Sequence, residues 1–189
     1  MSGGADRPAS ARAPGAPGIA SPAPISALLL MGVSGCGKTT VGEALARELG
    51  WRFVDADDLH PPANVEKMRS GRPLDDTDRA PWLARLNALL RHSAARGEPV
   101  VLACSALRAR YRTQLADRVP GLRVVFLRGS QALIEARLAD RQHRYMPASL
   151  LASQFAALEP PEDAWVADIG EPPAALAAGL AARVRAGAG

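Results

Sequence analysis

Apolar and polar positions along this chain switch repeatedly between two patterns. Ala27 to Met31 is a continuous apolar run of strand length; past a glycine-rich turn, Val41, Leu45 and Leu49 recur at i, i+4, i+8, predicting a helix from Lys38 to Leu49 that Gly50 stops. Trp51 to Val54 predicts a short second strand, and the prolines at 61 and 62 break the pattern before a short helix around Asn64 to Arg69. Asp75 to Asp78 places acids at the positive end of a helix dipole, and Trp82, Leu86, Leu89 and Leu90 share one face of a long helix reaching about Ala95. Pro99 to Ala103 and Leu122 to Leu127 are apolar throughout, as in strands covered on both faces. Between them Arg108 to Arg118 is helical, and a further helix opens at Ser130 or Gln131. Gln142 to Pro147 interrupts the pattern; Ala148 to Leu158 resumes helix, Trp165 to Ile169 forms a fifth strand, and Pro172 to about Arg185 a last helix.

Strands alternating with helices predict an α/β domain built on a parallel sheet with right-handed crossovers, in which ligands bind beyond the carboxyl ends of the strands. At 189 residues the chain suits one domain with a full core, here assigned to residues 27–189. Residues 1–26 are rich in Ala, Gly, Pro and Ser without an apolar core segment, which reads as a disordered leader rather than a secretory signal, with a transit peptide as the alternative. No apolar stretch approaches the roughly 20 residues of a membrane span. A net charge of +4, spread along the chain rather than gathered in a stripe, favours small anionic ligands over nucleic acid. Cys36 and Cys104 are expected to stay free thiols, because a bridge would tie up the glycine-rich turn; that places the protein in a reducing compartment, the cytoplasm.

The turn after the first strand carries the chemistry. Gly32-Val-Ser-Gly-Cys-Gly-Lys-Thr39 is G-x-x-x-x-G-K-T between an apolar strand and an amphipathic helix, the arrangement of a phosphate-binding loop. Gly32, Gly35 and Gly37 let the backbone curl so that N–H groups from Ser34 through Cys36 to Thr40 surround phosphate oxygens without a side chain intruding, and the helix N-terminus adds its dipole. Lys38 reaches the β and γ phosphates of ATP, and the Thr39 hydroxyl ligates Mg²⁺. Only Lys38 and Lys67 among 23 basic residues are lysine, so a compact ammonium stands at the one place in the loop that needs it.

Three other strand ends should converge on that loop. Asp55 and Asp57 lie one residue apart in nearly extended chain and so point apart: one can face a metal while the other orients or deprotonates an attacking alcohol. The alternative is a solvated acidic turn capping the next helix. His60 stands open between a substrate contact and a structural role. Arg137 and Arg141, spaced i, i+4, lead into an irregular segment with Arg144 and would neutralise charge on a transferring phosphoryl group. Strand three ends in Cys104-Ser105 with no aspartate, so the carboxylate usual there is missing and Asp55 is its best substitute.

With these residues in hand the chain resembles the gluconate kinases, small phosphate-loop enzymes related to shikimate and nucleoside monophosphate kinases. The resemblance runs from about Ala27 to Ile169. Besides the phosphate loop it rests on Asp55-Ala-Asp-Asp-Leu-His-Pro61, Asn64 to Gly71, Leu74-Asp-Asp-Thr-Asp-Arg-Ala-Pro-Trp-Leu83, Cys104 to Leu107 with Tyr111-Arg112, and Ser153-Gln-Phe155 before Leu158-Glu159. It implies a three-layer α/β/α P-loop fold on a five-stranded parallel sheet, a lid at about 141–150, often a homodimer, and transfer of the γ-phosphoryl group of MgATP to the 6-hydroxyl of D-gluconate. It further implies that Asp57 holds the sugar-acid hydroxyl, that Asp55 sits near the metal, and that Ser105, Arg79, Arg108 and Tyr111 serve the acidic substrate together with His60. The family's lid reads Arg-x-x-His and an aromatic, whereas this chain has Arg141-Gln-His143-Arg144-Tyr145, with arginine at the usual histidine position.

Two rival readings follow. A kinase of the same fold could act on shikimate, another hydroxy acid or a nucleotide, although no aromatic pair is evident to sandwich a base. A nucleotide-gated switch or nucleic-acid-binding protein would show N-K-x-D or a concentrated basic stripe, and the sequence has neither.

Overall fold

The computed structural model describes residues 24–139 and 148–187. Five parallel strands form one sheet: β1 (Ala27–Met31), β2 (Arg52–Asp55), β3 (Val100–Ala103), β4 (Leu122–Arg128) and β5 (Trp165–Asp168), in the order β2-β3-β1-β4-β5. The helices between them are α1 (Lys38–Leu49), α2 (Pro62–Arg69), α3 (Asp76–Arg96), α4 (Ala109–Ala116), α5 (Gln131–Ala139), α6 (Ala148–Ala157) and α7 (Pro173–Arg185). The order reverses at β1, which lies between β3 and β4, so the crevice at its carboxyl end is the topological switch point where such sheets bind ligands.

Strand periodicity divides the core into two layers. Leu28 and Leu30 face α1 and α7, where they meet Val41, Leu45, Leu176 and Leu180. Ala27, Leu29 and Met31 face the other way, onto Trp82, Leu83, Leu86 and Leu90 of α3 and Leu115 of α4. All five β1 residues are fully buried, which explains why that strand reads as an unbroken apolar run. Each such leucine contributes about 2 kcal/mol of burial.

Two local devices set the positions of the site-bearing segments. A β-carbon added at Gly42 of α1 would stand 2.6 Å from the ring of Phe53 in β2, so only glycine allows this helix so close to that strand. At the start of α3, Asp75 and Asp78 form a reciprocal capping box, and Lys67 of α2 binds both carboxylates, tying the two helices together.

The pattern-based boundaries differ from the observed ones in a few places. The second strand begins and ends one residue later than its aromatic start suggested: the Trp51 N–H bonds back to Ala46 O at 2.9 Å, and Asp55 pairs inside the sheet opposite Ala103. The segment after it, read as loop, is a 3₁₀ turn over Ala56–Leu59. Helix α4 stops at Ala116, short of the expected Arg118, which instead turns the chain with a left-handed φ of 54°.

Candidate functional site

The glycine-rich turn curls over the carboxyl end of β1. At Gly32 a β-carbon would lie 2.8 Å from both Cys36 Sγ and Leu127 O, so the backbone can pass only if that position has no side chain. Gly37 is needed for a different reason. A β-carbon there would meet only Val41, at 4.0 Å, but the residue turns the chain into α1 with a left-handed φ of 96°. Gly37 is thus the N-cap of α1 as well as a member of the expected phosphate cradle. Its carbonyl is taken by the Val41 N–H at 2.9 Å, so any bond from Gly37 to a phosphate would come from its own N–H.

Cys36 fills the interior of the turn and its N–H closes it on Val33 O at 3.3 Å. Helix α1 opens directly from the turn with no acid in its first turn and no side-chain cap, leaving its N-terminal N–H groups for an anion. The Lys38 amine folds back onto Gly32 O and Val33 O, each at 3.1 Å, which poises one positive charge over the mouth of the loop.

One residue further along α1, Thr39 Oγ1 donates to Asp55 Oδ2 at 2.9 Å. The other Asp55 oxygen accepts from the Asp57 N–H at 3.1 Å and so caps the 3₁₀ turn. That turn swings Asp57 outward: its side chain is 85% exposed and, among the described residues, makes one ionic approach, to His60 Nε2 at 3.9 Å. The two carboxylates therefore face different ways, one toward Thr39 of the phosphate loop and one toward solvent beside His60. Hydroxyl and carboxylate oxygens are the donors a hard cation such as Mg²⁺ takes. Among the described residues no cluster of three or more His, Cys, Asp or Glu side chains could hold a metal alone, so an ion beside Thr39 and Asp55 needs phosphate oxygens and water to complete its shell.

The His60 ring stacks on Trp82 with centroids 4.2 Å apart and an interplanar angle of 12°. Trp82 Nε1 in turn donates to Ala56 O at 2.8 Å, so the α3 face that covers the sheet also pins the acidic turn. His60 Nδ1 is buried and has no hydrogen-bond partner among the described residues. Burial holds the imidazole below its ordinary 6.5, and Arg79 adds to that; the Asp57 carboxylate opposes it. A histidine neutral in the fold but protonated when unfolded favours the unfolded chain as pH falls below about 6.5. The stability is thus complete above that pH and declines beneath it. Thermal melts at a series of pH values should show this acid-side loss in the wild type and a shallower one in His60→Gln.

Across the crevice, Asp76 gathers the basic and phenolic side chains of α3 and α4. Tyr111 Oη and an Arg110 nitrogen each donate to its carboxylate at 2.5 Å. The guanidinium carbons of Arg79 and Arg110 stand 5.8 and 5.3 Å from the Tyr111 ring centroid. The Tyr111 hydroxyl, aided by Arg110, Arg108 and Arg79, holds the Asp76 carboxyl below the usual carboxylate range. Arg79, Arg108 and Tyr111 are thus brought together, around an aspartate that the sequence shows only as a helix start. Ser105 lies between the two halves, its carbonyl accepting from the Gly32 N–H at 3.3 Å. The following Ala106 takes a left-handed φ of 41°, with Arg112 donating to the carbonyls of Ala106 and Leu107 at 3.1 and 3.0 Å.

On the β4 side, the Arg137 guanidinium donates to the carbonyl of Ile169, just past β5, and lies near enough to Cys36 to act on its thiol electrostatically. Arg141, His143, Arg144 and nearly all of the expected lid fall outside the described residues, as does most of the leader. Cys36 and Cys104 are free and buried. Burial raises both thiols, Cys104 to about 12, so neither carries thiolate near neutral pH.

Known proteins resemble this chain in sequence and in fold. Residues 28–161 match the family described as AAA domain. The chain is 53% identical to the gluconokinase of Gluconobacter oxydans over 137 residues, 72% of this chain and 76% of that protein. It is 44% identical to the thermosensitive gluconokinase of Escherichia coli over 134 residues, 71% of this chain and 72% of the relative. A crystal structure of a gluconokinase from Sinorhizobium meliloti superposes with a TM-score of 0.73 at 41% identity, covering 89% of this chain and 100% of that one. A shikimate kinase from Acinetobacter baumannii, at 20% identity and a TM-score of 0.53, shares the fold.

Fold and phosphate loop define a nucleotide-binding P-loop kinase. Within that class, the chain belongs to the gluconokinase family. Among the described residues, no helix is long and apolar enough to cross a membrane.

Proposed function

We propose that this protein transfers the γ-phosphoryl group of MgATP to the 6-hydroxyl of D-gluconate, yielding 6-phospho-D-gluconate and ADP. The observation that carries the reading is the divergence of two neighbouring carboxylates: Asp55 held 2.9 Å from Thr39 beside the phosphate loop, and Asp57 turned outward, 85% exposed. Gluconate is the acceptor named by relatives that share 40% identity or more with this chain.

The backbone N–H groups of Gly35, Gly37, Lys38, Thr39 and Thr40 and the Lys38 ammonium take the nucleotide's phosphates, while the Ser34 and Cys36 N–H groups, expected there too, are engaged within the protein. Thr39 and Asp55 would hold Mg²⁺, which supplies positive charge to the β and γ oxygens when bound. Asp57 accepts the proton of the 6-hydroxyl as that oxygen attacks the γ phosphorus, the bond to the β–γ bridging oxygen breaks, and ADP leaves. Arg79, Arg108, Tyr111 and Ser105 orient the sugar acid from the opposite wall, and His60 closes its floor. Arg137 and Arg141 offset charge on the transferring group. The family resemblance supports a homodimer working in the cytoplasm on a small-molecule acceptor, with no nucleic-acid or membrane partner.

A coupled assay of ADP release tests this, with D-gluconate, other aldonic acids, shikimate and nucleoside monophosphates offered separately. Turnover on gluconate well above the rest is expected. Turnover on shikimate or a nucleotide instead would keep the phosphate loop and overturn the acceptor.

A further inference from the structure

The loop that takes the phosphates is supported from outside by a residue 120 positions away in the chain. Gln154 of α6 reaches Ser34 at the tip of the loop with both ends of its carboxamide. Its Oε1 accepts from the Ser34 N–H at 2.6 Å and its Nε2 donates to Ser34 Oγ at 3.0 Å. Only this orientation of the amide pairs donors with acceptors, because the reverse would set an NH₂ group against the backbone N–H. The contact is fixed at its own end as well. Leu151, on the same helix face, is 1% exposed in the core, and Phe155 packs against the same cluster. Just past α6, the Glu159 N–H bonds to Leu107 O at 2.9 Å, while Glu159 Oε2 accepts from the Ala109 N–H at 2.6 Å. Glu159 thereby caps α4, whose own N-cap, Arg108, makes no side-chain cap.

We propose that Gln154 is a positioning residue for the nucleotide, holding the tip of the phosphate loop open through Ser34 so that the N–H groups beyond it converge on the phosphates. The inference rests on reading residues 32–39 as the phosphate site. Within the loop the other ties are the Cys36 N–H to Val33 O and the Lys38 amine to Gly32 and Val33 carbonyls. The lysine contacts compete with the phosphate for the same ammonium protons. Gln154 leaves that ammonium alone: of the N–H groups expected to face the phosphates it engages that of Ser34, at the tip, and leaves those beyond it to the ligand. A neutral carboxamide also suits this position where a carboxylate would not, since a negative charge beside the loop would repel the ligand. Neither role is visible in the local sequence, where Ser153-Gln-Phe155 marks only a likeness to the family.

The test is MgADP binding by titration calorimetry with no acceptor present, together with KM for ATP and for gluconate and a thermal melt. Losing both hydrogen bonds in Gln154→Ala should weaken MgADP by about tenfold. Gln154→Glu keeps side-chain size and the acceptor but adds charge, and should weaken it further, most strongly at low salt. KM for ATP should rise in parallel while KM for gluconate stays within about twofold. Ser153→Ala, whose hydroxyl among the described residues bonds to Leu150 O within its own helix, should match the wild type. MgADP affinity within twofold of wild type in both Gln154 variants, or equal losses for both substrates, would overturn the proposal. Should Gln154→Ala fail to fold, Gln154→Glu decides alone. A wild type that binds MgADP but leaves gluconate untouched would instead refute the acceptor assignment and leave the Gln154 measurement standing.

Discussion

Lys38→Ala is expected to lose about a thousandfold in kcat, on the order of 4 kcal/mol of transition-state stabilisation, while the protein stays folded. The reason lies in where charge develops. As the γ-phosphoryl group transfers, negative charge spreads over its equatorial oxygens and the bridging oxygen, and Lys38 is the one ammonium the phosphate loop provides. Its present partners are two backbone carbonyls at 3.1 Å, so its removal costs the resting loop only two modest hydrogen bonds. Lys38→Arg should fail nearly as badly. A planar guanidinium cannot occupy the place of a compact point charge between Gly32 and the ligand, in a chain whose other basic positions are almost all arginine already. The coupled assay at saturating gluconate measures the loss, and a thermal melt separates it from unfolding. Activity within tenfold of wild type would remove Lys38 from the mechanism.

Asp57→Asn is expected to lower kcat by about 10³, within the usual span for removing a general base, and to leave KM for ATP nearly unchanged. The split follows from geometry. The Asp57 side chain is 85% exposed and, among the described residues, its ionic approach is to His60 at 3.9 Å, where it opposes the effect of burial on that imidazole, so the fold depends little on its charge. Asparagine keeps the shape and, through its carbonyl, one acceptor, but it cannot take up the proton of the attacking hydroxyl. The Asp57 N–H that binds Asp55 belongs to the backbone and survives the change, so the metal side of the site is left in place. Steady-state kinetics with each substrate varied in turn would reveal the pattern. A variant that instead loses ATP binding with kcat preserved would shift Asp57 from base to nucleotide ligand.

The parts of this architecture governed by local periodicity were legible. β1 and α1 match their expected limits because the central strand is apolar at every position and Gly50 stops the helix with a left-handed turn. The phosphate loop was legible for a related reason, since its chemistry depends on contiguous residues. Even there the double duty of Gly37, cradle member and helix cap at once, shows only in the backbone. Contacts across the chain were not legible. Asp76 carries the signature of a helix start, and only the packing of α4 beside α3 shows it collecting Tyr111 and Arg110. Trp82 reads as one more apolar residue on a helix face, yet its N–H and ring fix the acidic turn and His60. Arg118 ends α4 early in a conformation that usually announces itself with glycine. Gln154 finds its serine 120 residues away, a distance over which no spacing rule operates.

The close seating of α1 on Phe53 also changes what counts as part of the site. Gly42 touches no phosphate, metal or sugar, yet the missing side chain at that position sets how far the helix stands from β2. Thr39 lies one turn earlier on the same helix, and its reach to Asp55 is fixed by that standoff. A bulkier residue at 42 would act as a wedge, levering the hydroxyl away from its carboxylate with every reacting group still present. Mapped by tolerance to substitution rather than by contact with ligand, the catalytic centre of this enzyme extends into the hydrophobic layer beneath it.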